Sequence, residues 1–173
     1  FLVTSAQPGE GKSTSAALTA LALAEVGVPT VVIGADFRRP QIEAFIGETP
    51  GPTLQDLAEL TINRPTVDDV VRATPHPNLY LATGGPSTRE VAQLVIATKD
   101  LITECTRRGA TVIVDSSPLQ AANDTVDLLE VVDEVILVVR SGEATAAGLI
   151  DSAELLRQLL RSKRPRLVEL EHH

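Results

Sequence analysis

Lys12, Asp36 and Asp115 each follow a short apolar run, and Ser13 stands next to the first of them. An ammonium, two carboxylates and a hydroxyl can together neutralise phosphate and hold a hard cation. Lys12 lies in the segment Thr4-Ser5-Ala6-Gln7-Pro8-Gly9-Glu10-Gly11-Lys12-Ser13-Thr14, directly after Phe1-Leu2-Val3. From Gly11 onward this matches the phosphate-loop pattern G-x-x-x-x-G-K-[ST], with Ala6 in place of the first glycine. In such a loop a strand turns sharply, so that successive N–H groups point at phosphate oxygens. Gly9 and Gly11 allow the dihedrals and the close approach this needs. Pro8, Gly9, Glu10, Gly11, Lys12, Ser13 and Thr14 are therefore the candidate nucleotide-binding residues. Lys12 would reach the terminal phosphates and Ser13 would ligate Mg²⁺.

The two carboxylates end apolar runs, Val31-Val32-Ile33-Gly34-Ala35-Asp36 and Val112-Ile113-Val114-Asp115. A buried strand ending in Asp is common by chance. Beside a phosphate loop, Ser13, Asp36 and Asp115 read as one magnesium site, since a carboxylate must lie where it can hold the ion through water.

Regular alternation has to bring these positions together. Candidate strands cover 1–4, 30–35, 79–83, 111–115 and 134–139, and candidate helices 13–26, 54–59, 88–108, 123–131 and 144–161. Ser87-Thr88-Arg89-Glu90 has the form of a capping box opening the third helix. Leu149, Ser152, Ala153, Leu156 and Leu160 make a core stripe on the last. The order implies an α/β fold: a doubly wound, mainly parallel sheet with helices on both faces, of the P-loop NTPase kind. Ligands then sit at the carboxyl ends of the strands. The Pro- and Thr-rich stretch 61–77 reads as a surface excursion.

At 173 residues the chain suits one core, and with 43% hydrophobic but only 2% aromatic residues that core is built from Val, Leu, Ile and Ala. A net charge of −8 argues against a nucleic-acid partner and against docking on an anionic membrane. The single Cys105 cannot form an internal disulfide, which fits a reducing, cytoplasmic setting. No apolar run approaches the ~20 residues that span a bilayer, and no signal peptide is seen. The chain begins inside a strand, and Leu170-Glu171-His172-His173 resembles the remnant of a polyhistidine tag. The expected division is one ATP-binding domain over 1–169 and a tag remnant over 170–173, the domain being cut from a longer protein.

Val31 to Pro40, reading V-V-I-G-A-D-F-R-R-P, resembles the second Walker-type strand of bacterial tyrosine kinases, written D-A-D-L-R-R-P after apolar residues. Pro8 to Thr14 matches the same family, and Val114-Asp115-Ser116-Ser117-Pro118 is close to its D-[ST]-P-P. Gly84-Gly85-Pro86 with Glu90 to Leu94 is similar to its G-x-x-P-P-N-P-x-E-L-L region, with Ser87, Thr88 and Arg89 departing from it. The resemblance implies an ATP-dependent protein-tyrosine kinase domain, binding ATP or ADP with Mg²⁺ and regulating synthesis and export of capsular or extracellular polysaccharide. It implies Lys12 and Asp36 as catalytic residues, Asp36 orienting or deprotonating the acceptor tyrosine. It also implies partners: a tyrosine-containing protein or neighbouring subunit, a membrane activator protein or domain, tethering at the inner membrane face by a partner or a further segment, and homo-oligomers. Arg38 and Arg39 are either solvated charges or a grip on an acidic face of substrate or subunit.

Partition and division-site ATPases share the fold but carry K-G-G-x-G-K-[ST], where this chain has Gln7 and Pro8. Ala97-Thr98-Lys99-Asp100 lacks the spacing of a guanine signature and falls within a helix, so ATP is favoured over GTP. Two departures leave a second reading open, an ATP-binding regulatory or scaffold module with little kinase activity. Gly34 stands at the family's first aspartate, and there is no tyrosine cluster; the only tyrosine, Tyr80, is expected in a buried strand as a structural residue.

Overall fold

The computed structural model describes residues 1–47, 49–59, 65–88, 90–121, 123–140, 154, 156–158 and 166–172. Among the described residues, seven strands form one sheet in the order β3-β4-β2-β5-β1-β6-β7. These are β1 (Leu2–Ser5), β2 (Thr30–Ala35), β3 (Arg72–Ala73), β4 (Leu79–Ala82), β5 (Thr111–Ser116), β6 (Glu134–Arg140) and β7 (Arg166–His172). Every pairing is parallel except that of β3 with β4. The expected doubly wound, mainly parallel sheet is what the chain forms.

Apolar side chains leave the strands alternately to two faces, because successive side chains on a strand point opposite ways. Val3, Val32, Ile113 and Ile136 pack with Ala16, Ala17, Ala20 and Ala24 of helix α1 (Lys12–Glu25). Alanines at the contact let α1 lie close to the strands that flank its entry. The other face collects Leu2, Val31, Ile33, Val112, Val114 and Leu137. It is covered by α3 (Leu54–Ala58), α5 (Ala92–Arg107) and α6 (Asp124–Leu128), which contribute Leu54, Leu57, Leu94, Leu101 and Leu128. Short helices α2 (Glu43–Ile46) and α4 (Val67–Val70) complete the described helices named here.

Several local expectations change. Capping boxes do occur, but at Thr53 with Asp56 and at Thr66 with Asp69, opening α3 and α4. Ser87 does not cap α5: its hydroxyl donates to the Arg38 carbonyl at 2.6 Å, and Thr88 donates its N–H to the Phe37 carbonyl at 2.8 Å while its hydroxyl accepts the Glu90 N–H at 3.1 Å, ahead of the helix. Helix α5 accordingly starts at Ala92, four residues later than expected, with no side-chain cap. Within the stretch read as a surface excursion, residues 67–70 form α4 and 72–73 form β3. The Arg72 guanidinium holds that edge, donating to the Thr49 carbonyl at 2.8 Å and to the carbonyl of Pro52.

Tyr80 is on β4 as expected but is not buried: it is 38% exposed, while Leu79 and Leu81 beside it are buried. Leu79 and Leu81 point to the α1 face and Tyr80 to the opposite one, because successive side chains on a strand alternate. β7 was assigned no strand in the sequence, yet it pairs with β6 in register from Arg166 opposite Glu134 to His172 opposite Arg140. Residues 144–153 of the last expected helix lie outside the described residues, as do Leu149, Ser152, Ala153 and Leu160; residues 154 and 156–158 are helical, and Leu156 is fully buried. Among the described residues no helix is long and apolar enough to cross a membrane. Cys105 is free and buried, and burial pushes its thiol up to about 11.

Candidate functional site

At the carboxyl end of β1 the chain turns through residues 6–11 into α1. Gly9 and Gly11 have φ of +88° and +94°, the region that L side chains avoid, which is why this loop needs glycine at these two places. Ala6 has an ordinary φ, so the first glycine of the pattern is dispensable here. The Glu10 carboxylate folds back to accept the Gln7 N–H at 2.7 Å, and the Ser5 hydroxyl donates to the Gln7 carbonyl at 2.7 Å. Glu10 thus braces the loop from within. The loop ends on the first turn of α1, whose free N–H groups and dipole favour an anion.

The neighbouring strands are locked to this turn. The Thr4 hydroxyl donates to the Ser117 carbonyl at 2.9 Å, and the Leu119 N–H to the Ser5 carbonyl at 2.8 Å. The Ser116 hydroxyl donates to the Val3 carbonyl at 3.0 Å. Register places Asp115 beside both Val3 and Gly34. Asp36 follows β2 directly.

Four candidate groups converge. The Lys12 ammonium lies 2.7 Å from Asp36 Oδ2, 3.7 Å from Asp115 Oδ1 and 3.3 Å from Ser13 Oγ. Asp36 Oδ1 accepts the Ser117 hydroxyl at 3.1 Å and the Arg39 N–H at 3.2 Å. Lys12, Ser13, Asp36 and Asp115 are all buried. Burial raises the Asp115 carboxyl to about 6, against the pull of Lys12 and Ser13, and the Asp36 charge adds to the rise. Among the described residues Asp115 Oδ1 has no hydrogen-bond partner. A buried oxygen of this kind, converging with a hydroxyl and a second carboxylate, suits a hard divalent cation such as Mg²⁺.

Beside this cluster opens a cavity of about 470 Å³, lined among others by Pro8, Gly9, Lys12, Asp36, Arg39 and Ser117. Arg38 and Arg39 part company here. Arg38 pairs with the buried carboxylate of Asp124 at the start of α6, while Arg39 is exposed at the cavity wall. Ser117 and Asp124 were missed as site residues. Ser117 stood inside the quoted Val114-to-Pro118 motif, but Asp124 had no local signal, being 86 residues from its partner. Pro8, Gly9, Glu10, Gly11 and Thr14 form the loop and its first helical turn around Lys12 and Ser13.

Gly34 sits in β2 with almost no room. A Cβ there would lie 3.0 Å from Ile42 Cγ2 and 3.6 Å from the Gly84 nitrogen. The side chain absent at this position would point to the face of Val32 and Ile42, the same face as Asp115.

No protein-family model matches the chain. Among curated proteins it is 33% identical to "Tyrosine-protein kinase YwqD" of Bacillus subtilis (strain 168) over 159 residues, which cover 90% of this chain and 65% of that protein. The chain thus spans just under two thirds of this relative's length. Among solved structures, the kinase domain of VpsO superposes with a TM-score of 0.81 at 25% identity, over 99% of this chain and 84% of that one. The septum site-determining protein MinD from Pyrococcus horikoshii, complexed with Mg-ADP, has a TM-score of 0.80 at 20% identity, covering 97% of this chain and 67% of that one, and shares the fold. The phosphate loop at β1, the aspartates after β2 and β5, and the similarity to YwqD point the same way: the homologues of this chain are bacterial tyrosine-protein kinases, and its structural neighbours include kinase domains of that type.

Proposed function

We propose that this chain is an ATP-binding protein-tyrosine kinase domain of the type that regulates capsular or extracellular polysaccharide synthesis and export. The observation that carries this reading is the convergence of Lys12 on Asp36, Asp115 and Ser13 at the mouth of the phosphate loop. In phosphoryl transfer a protein mainly positions groups and offsets developing charge. Lys12 and the N–H groups of Gly9 to Thr14 hold the terminal phosphates. Ser13 would hold Mg²⁺ directly and Asp36 and Asp115 would support it through water; the ion, when bound, neutralises phosphate charge. Asp36 has one oxygen fixed by Ser117 and the Arg39 N–H, so its other oxygen has a defined direction. In the proposed reaction that oxygen accepts the tyrosine hydroxyl proton as the phenolic oxygen bonds to the γ-phosphorus and the bond to ADP breaks. The substrate is a tyrosine of another protein or of a neighbouring subunit. A membrane activator outside these residues tethers the domain at the inner face.

Calorimetry with Lys12→Met tests the site. Loss of a hydrogen-bonded charge contact should weaken Mg·ADP binding by roughly 1.5–3 kcal/mol. Unchanged ADP affinity would remove Lys12, and with it this site, from the proposal.

Gly34 favours a second reading, an ATP-binding scaffold with slow transfer, because the family's first carboxylate is missing from a position the fold keeps tight.

Tyr80 is a poor acceptor for its own site, but for a reason other than burial. It pairs with Val31, five residues before Asp36, which places it roughly 16 Å back along the sheet at about 3.3 Å per residue. Incubation of dilute protein with ATP should therefore leave Tyr80 unmodified by mass spectrometry. Phosphotyrosine there at a level independent of protein concentration would contradict this geometry.

A further inference from the structure

Two buried carboxylates share one ammonium at this site. Lys12 makes a close ion pair with Asp36 at 2.7 Å but stands 3.7 Å from Asp115 Oδ1, beyond hydrogen-bonding distance, and among the described residues that oxygen has no hydrogen-bond partner. The side chains of Lys12, Asp36 and Asp115 are 9%, 5% and 1% exposed, so water does little to screen them. Among the described residues no other ion pair reaches either aspartate. Ser13 Oγ, at 3.3 Å from the same ammonium, brings a third oxygen. Three convergent oxygens are a better match for a divalent cation than for an ammonium that satisfies only one carboxylate.

We infer that the Lys12 ammonium is a resident competitor for the divalent-cation position, so that the oxygens of Ser13, Asp36 and Asp115 accept a free divalent ion only when Lys12 is drawn away. This deepens the proposed function and rests on its reading of the site. Lys12 has two attractors, the buried carboxylates and the phosphate oxygens of a nucleotide. Moving it to phosphate leaves two buried carboxylates without a cation, which is costly unless another cation takes its place. Arrival of the metal and departure of Lys12 to phosphate are thereby coupled, and the coupling is reciprocal. The chain would discriminate against free metal and against metal-free nucleotide with a single side chain.

The probe is Mn²⁺ alone, without nucleotide, followed by the electron paramagnetic resonance of the free ion and by thermal unfolding of the same samples. Wild type should take up Mn²⁺ weakly, with little change in its unfolding temperature. Lys12→Gln should bind Mn²⁺ about tenfold or more tightly, within the range usual for coupled sites, and gain thermal stability from it. Adding Asp115→Asn to that variant should abolish the gain. Equal Mn²⁺ affinity in wild type and Lys12→Gln would overturn the inference, as would a gain that survives Asp115→Asn. If Lys12→Gln fails to fold, wild type decides: stoichiometric Mn²⁺ uptake without nucleotide overturns the proposal, and uptake that appears only with ADP supports it. Calorimetry of Mg·ADP binding to wild type is independent of these outcomes. Its failure would remove the nucleotide site itself, whereas failure of the Mn²⁺ comparison alone leaves that site standing and removes only the role of Lys12 as competitor.

Discussion

Asp36→Asn should lower phosphate transfer to a tyrosine-rich peptide by ~10²–10⁴-fold, the contribution of a positioned general base. Asparagine keeps the size of the side chain and an oxygen for the Ser117 hydroxyl and the Arg39 N–H, so the turn after β2 should hold its shape. It cannot take up the tyrosine proton at neutral pH. The measurement is initial rate with acceptor and activator held constant, alongside calorimetry with Mg·ADP. A large fall in rate with a much smaller change in affinity is the expected pattern. A variant as fast as wild type would show that Asp36 is not the base.

Restoring a carboxylate at position 34 should have the opposite effect, once space is made for it. Gly34→Asp alone forces a Cβ to within 3.0 Å of Ile42 Cγ2, and overpacking of this kind typically costs about 1–3 kcal/mol of folding stability. Ile42→Leu moves the branch off Cβ and keeps the volume. The double variant should therefore recover stability in urea unfolding. If the missing carboxylate limits transfer, the double variant phosphorylates the same peptide faster, with ADP affinity little changed, by up to the ~10²-fold scale of an added positioning or proton-accepting group. A double variant that folds and binds ADP but transfers no faster would mean that Asp36 suffices and that Gly34 serves only the packing of Ile42.

The sequence carried the parts of the site that depend on local backbone. Gly9 and Gly11 mark the two positive-φ positions of the loop, and apolar runs ending at Asp36 and Asp115 mark strands that finish on one edge. These constraints act within a few residues and so leave short motifs. The partners of those groups were much less visible. The Ser117 hydroxyl reaches Asp36 across 81 residues and Arg38 reaches Asp124 across 86, and no spacing rule links such pairs. Tyr80 is exposed between the buried Leu79 and Leu81 because alternate side chains face opposite sides of the sheet, and apolar neighbours do not report whether the other side is covered. Helix α5 starts later than the motif suggests because the Ser87 hydroxyl is given to the loop after β2 and the Thr88 hydroxyl to Glu90, ahead of the first helical turn. β7 carries little strand signal of its own, since its last residues, Leu170 to His172, resemble a tag remnant.

The bonds that tie Thr4 and Ser5 to residues 117–119, and Ser116 to Val3, make the phosphate loop and the carboxylate strand one stiff piece. Ordering a backbone residue costs roughly 1–2 kcal/mol of conformational entropy, and here that ordering occurs when the chain folds rather than when a ligand arrives. The nucleotide then meets a cradle whose shape is already chosen. Its binding heat should be that of charges and amides exchanging partners, without the entropic penalty of arranging a loop, and the remaining freedom lies in one long lysine side chain.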